Sequence, residues 1–589
     1  MMFGAFKRRF TDFLPASYMK PYYPKGRFIM VEKRYIKNTA ILFVSMAITK
    51  IVGALFKIPL ANLLGGTGMG YFSTAYGLYS PIFALTAAGI PTVIMRTTAR
   101  CAAVDNRTHA LAVRKYALIM FTIIGVLGSA AVAVFAKPFA EHVACSPQSA
   151  AAIVCIAPAV AFCCAASVLR GYREGLSDVV PSAAASIAEA VSRAVFGLGI
   201  SYAVIFFAKN EFLNGRRVFG ADCATAEEAY SAALPYAAAG AILAVSISEL
   251  FGLITLIINE RRTKNREPLP PRCTYCCRRI CSGLIKDIIP IAASALAVNC
   301  VSFVDLLTVT RTLSMSALQN PEYFNTTFSG IFDSCGGIDG LPNFIYGSYT
   351  GIAMSLFMMI PSFAGMAEKP AAPEIAAAWE RKDTDSLTRK ITLQLRAGAL
   401  IACPACFGAA ALAKPIMALL YRSRAAEVSV CQSSFVILCL GGIFMVLSSS
   451  MFGIFQSIGK AHIPLILMTG SVLLKLFLNP VLISIPQLNI AGAALSSVAG
   501  YIFMTVGGIF MMRKHLPGSV GIFRAVFPTL LSGVGCGAFA FFASKILENK
   551  VNNMLTVIFS TITGAFFYVI LLILTGVFRA NGTIKRKKA

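Results

Sequence analysis

Charge is scarce in this chain. Only 13% of its 589 residues are Asp, Glu, Lys or Arg, about half the share of an ordinary soluble domain. That leaves no room for a large soluble domain. Histidine is rarer still. His109, His142, His462 and His515 all fall in or near loops, so a histidine-based metal site is not expected. The short motifs of soluble enzymes are missing too: there is no P-loop, no G-x-S-x-G and no H-E-x-x-H. Without an ATP site, any transport must draw on an ion gradient, the membrane potential or the gradient of the substrate. The first 30 residues hold no continuous apolar core, so they do not read as a signal peptide, and Met30 in "IMVEKRY" is a candidate start.

What the chain does have is apolar length. It is 57% hydrophobic, with a mean hydropathy of +0.72. Fourteen stretches, at about 38–61, 72–95, 116–136, 149–169, 182–207, 234–258, 286–310, 344–366, 393–413, 433–455, 463–485, 489–512, 525–545 and 554–578, are each long enough for a hydrocarbon core roughly 30 Å thick. The expectation is an all-α polytopic membrane protein.

Lys and Arg number 53 against 26 acids, a net charge of +27. Such a balance can signal nucleic acid, but its placement points to a bilayer. With the N-terminus in the cytoplasm, most of the cations fall on inside segments, the positive-inside pattern. The arm from Lys7, Arg8 and Arg9 to Lys37 and the tail "IKRKK" (584–588) then both lie inside. They orient helices and meet anionic lipid; no nucleic-acid partner is expected. The 17 cysteines mostly sit in spans, as small hydrophobes. "CTYCCRRIC" (Cys273, Cys276, Cys277, Cys281) is the exception. With no nearby histidine or second well-spaced pair, and in a reducing compartment, it reads as metal-free.

The chain repeats itself. "YGLYSPIFALTAAGIP" (76–91) is answered by "YGSYTGIAMSLFMMIP" (346–361), with Tyr-Gly-x-Tyr and Ile-Pro at the same spacing. "FAKPF" (135–139) is answered by "LAKPI" (412–416), "RGYREGLSDVVP" (170–181) by "FGIFQSIGKAHIP" (452–464), and "AAGAILAVSISE" (238–249) by "IAGAALSSVAGY" (490–501). The order is kept throughout. Spans 1–6 and 7–12 therefore read as two copies of a six-helix unit in the same orientation, a parallel repeat that suits alternating access, with two further C-terminal spans.

A charge at mid-bilayer costs about 2.5–3.5 kcal/mol on insertion scales, so it normally faces a protein interior or a wet cavity. In "TKIVGALFKIP" (49–59), Lys50 and Lys57 are seven residues apart and share a helix face. Glu189 and Arg193 stand four apart and can pair across one turn. Lys475 follows Pro464 at nearly the distance at which Arg193 follows Pro181, with Ser471 rather than an acid one turn earlier. Lys50, Lys57 and Lys475 therefore need a partner from elsewhere: Asp305, Glu249, Glu189, or an anionic ligand. Long lysines can also snorkel to the interface. The excess of cations suggests a receptor for phosphate or pyrophosphate.

Four segments carry a family resemblance: "TGMGYFSTAYGLYSPIFALTAAGIPTVIMR" (67–96), "SVLRGYREGLSDVVPSAAASIAEAVSR" (167–193), "YAAAGAILAVSISEL" (236–250), and the run from "FGIFQSIGKAHIP" to "NIAGAALSS" (452–497). Together they resemble the polysaccharide-biosynthesis branch of the multidrug/oligosaccharidyl-lipid/polysaccharide exporter superfamily, with the stage V sporulation protein B-like group as nearest match and the MurJ-type lipid II flippases as kin. The resemblance implies an alternating-access flippase of undecaprenyl-pyrophosphate-linked sugars, with two six-helix lobes and two extra helices. It places Lys50 and Lys57 where relatives carry basic residues in the first span. Where MurJ-type proteins carry a basic residue in the second span, this chain has only Arg96, at the span's end. Some relatives bind sodium in the second lobe. Asp305 and Asn479 match that site, but Ile483 stands where a second acid would be.

The chain thus divides into a cytoplasmic basic arm (1–37), an N-lobe (38–260), a cytoplasmic linker (261–285), a C-lobe (286–514), two last spans (515–578) and a basic tail (579–589). The expected function is flipping of a lipid-linked envelope precursor, lipid II-like or a polysaccharide repeat unit, across the bacterial cytoplasmic membrane, with both termini inside. Lys50, Lys57, Arg193, Lys475 and Glu189 are the expected substrate-binding residues. Asp305, Asn479 and Glu249 are the expected ion-coupling residues, for Na+ or H+. No other cofactor is expected. The expected partners are the lipid-linked oligosaccharide, membrane lipid and cell-wall synthesis proteins. The alternatives are a drug/cation antiporter, which wants an acidic cavity; a membrane enzyme, which wants paired carboxylates in a large outer loop; and a non-transporting envelope-synthesis protein.

Overall fold

The computed structural model describes residues 25–103, 107–264, 277–335, 337–368, 371–516, 521–548 and 550–576. Lys7, Arg8 and Arg9 of the arm, Cys273 and Cys276 of the cysteine cluster, and the 584–588 tail lie outside them.

The described residues are helical almost throughout. The first lobe contains α1 (Lys25–Ala84), a π-helical turn (Leu85–Gly89), α2 (Ile90–Ala103), α3 (Arg107–His142), α4 (Ala150–Gly175), α5 (Val180–Gly215) and α6 (Ala226–Lys264). A two-stranded antiparallel hairpin, Arg217–Val218 with Ala221–Asp222, links α5 to α6. The second lobe starts with α7 (Cys277–Gln319), followed by the short helices α8 (Pro321–Phe328) and α9 (Phe332–Cys335). Next come α10 (Leu341–Ser348), a π turn (Tyr349–Ala353), α11 (Met354–Phe357), α12 (Met359–Glu368) and α13 (Ala372–Glu380). The chain continues through α14 (Thr384–Ala411), α15 (Ala413–Leu420), α16 (Ala425–Ser457), α17 (His462–Ile483) and α18 (Ile490–His515), and ends with α19 (Ile522–Leu547) and α20 (Asn553–Leu574).

Within the described residues, all fourteen expected stretches fall largely on helix, but their count is not reproduced one for one. Twelve helices among the described residues are long and apolar enough to cross a membrane. The first, Val44–Ala84, takes in two expected spans because α1 continues through a backbone break at Gly65 (φ 63°, ψ −171°). Glycine takes that φ without the steric cost other residues carry. The expected seventh span lies in α7, which is not among the twelve.

Helix starts and stops follow local chemistry. Pro181, Pro321 and Pro342 each stand in the first turn of a helix, where the missing N–H costs nothing. Asp383 caps α14 by accepting from the Ser386 N–H at 3.0 Å. The duplication shows in the irregularities as well. The second span of each lobe carries one π turn, Leu85–Gly89 and Tyr349–Ala353. π turns often mark functional sites in helices, and the first ends at Gly89, two residues before Pro91.

Within the first lobe α5 packs on α6 and α3 on α4; within the second, α16 and α17 pack on α18; α19 and α20 pack on each other, and α19 on α14. The lobes meet along α1, α7 and α10. Their tightest meeting is at the Gly65 end. Asn343 Nδ2 donates to Thr67 O at 2.9 Å and Thr350 Oγ1 to Ser73 Oγ at 2.8 Å. A Cβ on Gly347 would collide with the backbone of Gly66 and Gly70, so only glycine allows this approach.

Candidate functional site

At the two first-span lysines the interlobe face is an antiparallel helix contact. Lys50 Nζ reaches Ser362 Oγ at 3.5 Å and Lys57 Nζ reaches Ser355 Oγ at 3.4 Å. Seven residues forward along α1 correspond to seven back along α12 and α11, the register of two helices running in opposite directions. Both lysines therefore point at the second lobe instead of snorkelling into an interface. Neither has a carboxylate partner among the described residues.

Lys50 stands on the wall of a cleft of about 520 Å³. Ser45, Thr49, Arg170, Glu174, Ser182 and Ser186 line it from the first lobe, and Ser362, Gly365 and Met366 from the second. A larger chamber of about 770 Å³ lies in the second lobe and shares Gly365 with the cleft. Its walls carry five methionines (Met354, Met358, Met445, Met468, Met504), with Gln394, Ser448, Ser449, Gln456 and Ser457, and with Asp305 and Lys475. The two spaces differ in chemistry. The first offers the Lys50 ammonium among hydroxyls, with Lys57 two turns further along α1. The second offers thioethers, hydroxyls and amides around a charge pair that is already balanced.

The remaining predicted ionic residues are sorted into pairs, and one sequence-based pairing is corrected. Glu189 and Arg193 do not pair with each other. Glu189 takes Arg170 from α4, and Arg193 takes Glu249 from α6 at 3.3 Å, with its Nε also donating to Ser248 Oγ at 3.2 Å. Four-residue spacing only permits a bond; the packing of α4 and α6 against α5 supplies better-placed partners. Gly252 on α6 leaves the room that the Glu189 carboxylate fills. Lys475 finds Asp305, one of the three acids sequence analysis offered it, at 2.6 Å. Asn479 Nδ2 donates to the other Asp305 oxygen at 3.0 Å and to Thr308 Oγ1 at 2.8 Å. Among the described residues, Lys50 and Lys57 are thus the two predicted cations without an acid, while Glu174 is the acid that lines the cleft with no ion pair. No group of three or more His, Cys, Asp or Glu able to hold a metal occurs among the described residues.

Sequence analysis missed the latch at the sealed end. Arg424, in the turn before α16, donates to the backbone carbonyl of Asn62 from Nε (3.0 Å) and Nη2 (2.9 Å), to that of Leu63 at 3.3 Å, and to the Tyr230 hydroxyl at 2.6 Å. Tyr230 itself donates to Leu63 O at 2.6 Å. Glu427, one turn on, accepts from the Gly66 N–H at 3.1 Å. The break at Gly65 frees backbone groups of the first lobe, and the second lobe satisfies them. The signal in sequence is faint: a Gly-Gly pair after an apolar run, and an arginine in a short connection.

Comparisons with known proteins agree with this architecture. The family model for the lipid II flippase MurJ matches residues 347–578, and that for polysaccharide biosynthesis proteins matches residues 35–208. Stage V sporulation protein B of Bacillus subtilis is 23% identical over 502 residues, 84% of this chain and 86% of its own. The uncharacterized membrane protein YabM of the same organism is 23% identical over 492 residues, 82% of this chain and 81% of its own. The lipid II flippase MurJ of Bacillus subtilis is 19% identical over 525 residues, 86% and 87%. Among solved structures, an inward closed lipid II flippase MurJ superposes with a TM-score of 0.62 at 11% identity, covering 92% of this chain and 99% of that one. An inward-facing multidrug resistance MATE transporter gives 0.57 at 16% identity, covering 79% and 94%. At such identities the structures share the fold. The resemblance read from the motifs thus agrees with the comparisons: this multi-pass membrane chain is similar to polysaccharide-biosynthesis proteins over residues 35–208 and to MurJ-type flippases over residues 347–578, and it has the fold of the matched flippase and transporter structures.

Proposed function

We propose that the chain flips a polyprenyl-pyrophosphate-linked glycan, lipid II-like or a polysaccharide repeat unit, from the cytoplasmic to the outer face of a bacterial cytoplasmic membrane. The observation that carries this reading is the pair of lysines, Lys50 and Lys57, aimed across the lobe interface without an acid to neutralise them. An ammonium on a flexible stem suits an anion that must bind and then leave. The pyrophosphate meets Lys50 and Lys57. Arg170 and Arg193 add field, balanced by their own partners Glu189 and Glu249. The glycan extends past Gly365 into the second-lobe chamber, where Gln394, Ser448, Ser449 and Gln456 offer hydrogen bonds to sugar hydroxyls. The polyprenyl tail stays in lipid.

With the N-terminus inside, the Gly65 end faces out, so the arrangement is the state that receives substrate from the cytoplasm. Rocking of the lobes breaks the Arg424 latch and opens the outer side. Moving two negative charges outward across an inside-negative potential is downhill by about 4–5 kcal/mol per 100 mV when the full field is crossed. Glu249 is the position left for a coupling H+, since Asp305 with Asn479, where a coupling Na+ would act, already holds the Lys475 ammonium. Cell-wall synthesis proteins that make or consume the precursor are the natural neighbours.

A drug/cation antiporter wants acids free in the cavity. Here Glu189, Glu249 and Asp305 are each bound to a cation of the chain, and Glu174, the acid on the cleft wall outside any ion pair among the described residues, shares that wall with Lys50 and Arg170. The test is reconstitution. Proteoliposomes with the purified protein should move a fluorescent polyprenyl-pyrophosphate oligosaccharide to the trans leaflet, faster with a negative potential on the donor side. Equal rates with protein-free vesicles would defeat the reading.

A further inference from the structure

Asp305 and Lys475 are almost completely buried, at 3% and 1% exposure. Both oxygens of Asp305 are engaged. Oδ2 receives the Lys475 ammonium at 2.6 Å, and Oδ1 receives Asn479 Nδ2 at 3.0 Å. Asn479 in turn reaches Thr308 Oγ1, and its Oδ1 accepts from Ser496. Without the lysine, the cluster is a carboxylate, an amide and two hydroxyls from α7, α17 and α18, the oxygen-donor set that a small hard cation seeks. The residues nevertheless do not fit a bound sodium ion. The single negative charge is already matched by a cation belonging to the chain, and Ile483, one turn beyond Asn479, brings no second carboxylate. A metal ion added beside the ammonium would leave one positive charge buried without compensation.

We propose that Lys475 is a tethered counter-cation: its ammonium takes the place of an alkali ion at Asp305, so the second lobe works without bound sodium. The arrangement has a consequence for energy supply. A cation that cannot leave the protein cannot couple its own gradient to transport. Asp305 is then withdrawn from ion exchange and serves to hold α7 against α17.

The test uses purified full-length protein without substrate lipid, so its outcome is independent of the flippase reading. Thermal unfolding is followed in matched chloride salts of sodium, potassium and choline. Wild type should unfold at the same temperature in all three. Lys475→Met removes the ammonium and keeps the acid. It should unfold earlier than wild type in choline and recover selectively in sodium, with an apparent Na+ affinity roughly tenfold or more above that of wild type. Lys475→Met/Asp305→Asn removes both charges, and should fold and ignore the salt. A sodium-selective shift in wild type, or a folded Lys475→Met indifferent to sodium, overturns the proposal. If Lys475→Met folds in no salt, recovery of folding in the double variant supports charge replacement. Failure of the double variant as well makes Lys475 a packing residue and overturns it.

Discussion

Lys475 and Asp305, 170 residues apart in the chain, meet at 2.6 Å inside the second lobe. Removing one member of a buried pair strands the other, at about 3–5 kcal/mol, whereas removing both costs much less. Lys475→Met should therefore lower the unfolding temperature well beyond Lys475→Met/Asp305→Asn in sodium-free buffer. Equal losses would show that the charges are not what the site depends on.

In the first lobe the partners of Glu189 and Arg193 can be told apart by double-mutant cycles. Glu189→Gln with Arg170→Gln should show coupling of about 1–3 kcal/mol, and so should Arg193→Gln with Glu249→Gln. Glu189→Gln with Arg193→Gln should couple more weakly than either of these pairs, as for neighbours in one charge cluster without a shared bond. Strong coupling in this last pair would restore the four-residue pairing that sequence suggests.

The latch makes a prediction about access. Thr67 is buried under Asn343 at the sealed end. Thr67→Cys should resist a polar thiol reagent, with labelling read on its own peptide by mass spectrometry because the chain has 17 native cysteines. Adding Arg424→Ala removes four hydrogen bonds across the lobes and should raise labelling several-fold. Unchanged labelling would mean that Arg424 does not hold this end shut.

The glycine contact tests the same closure sterically. Gly347→Ala places a methyl group against the Gly66 and Gly70 backbone. Overpacking of this kind costs about 1–3 kcal/mol, borne by the sealed state alone. The variant should fold, label Thr67→Cys more readily, and transport more slowly. Normal transport with a sealed Thr67 would show that the helices yield without penalty.

Much of the architecture was legible in the chain. The long apolar stretches and the order of the four repeated motifs place the helices and the two lobes. The seven-residue spacing of Lys50 and Lys57 gives their shared face, but not what that face meets. Three acids could serve Lys475, and only the packing of α7 on α17 selects Asp305. Local spacing misled at Glu189, because a neighbour one turn away is only one candidate beside those brought in by adjacent helices. Arg424 and Glu427 escaped notice because their partners are backbone groups freed by the break at Gly65, and no residue type advertises such partners. An acid in the first turn of a helix reads as an ordinary dipole partner, which is how Glu427 reads until the opposite lobe is in place.

The account turns on Lys50 and Lys57 receiving a pyrophosphate lipid, and complementation tests that most directly. Cells depleted of their own lipid II flippase receive wild type or Lys50→Ala/Lys57→Ala, with membrane levels checked by immunoblot. Rescue by wild type and failure of the equally abundant double variant is the predicted result. Equal rescue by both would contradict the account, since the two ammonium groups would then be dispensable for moving the substrate.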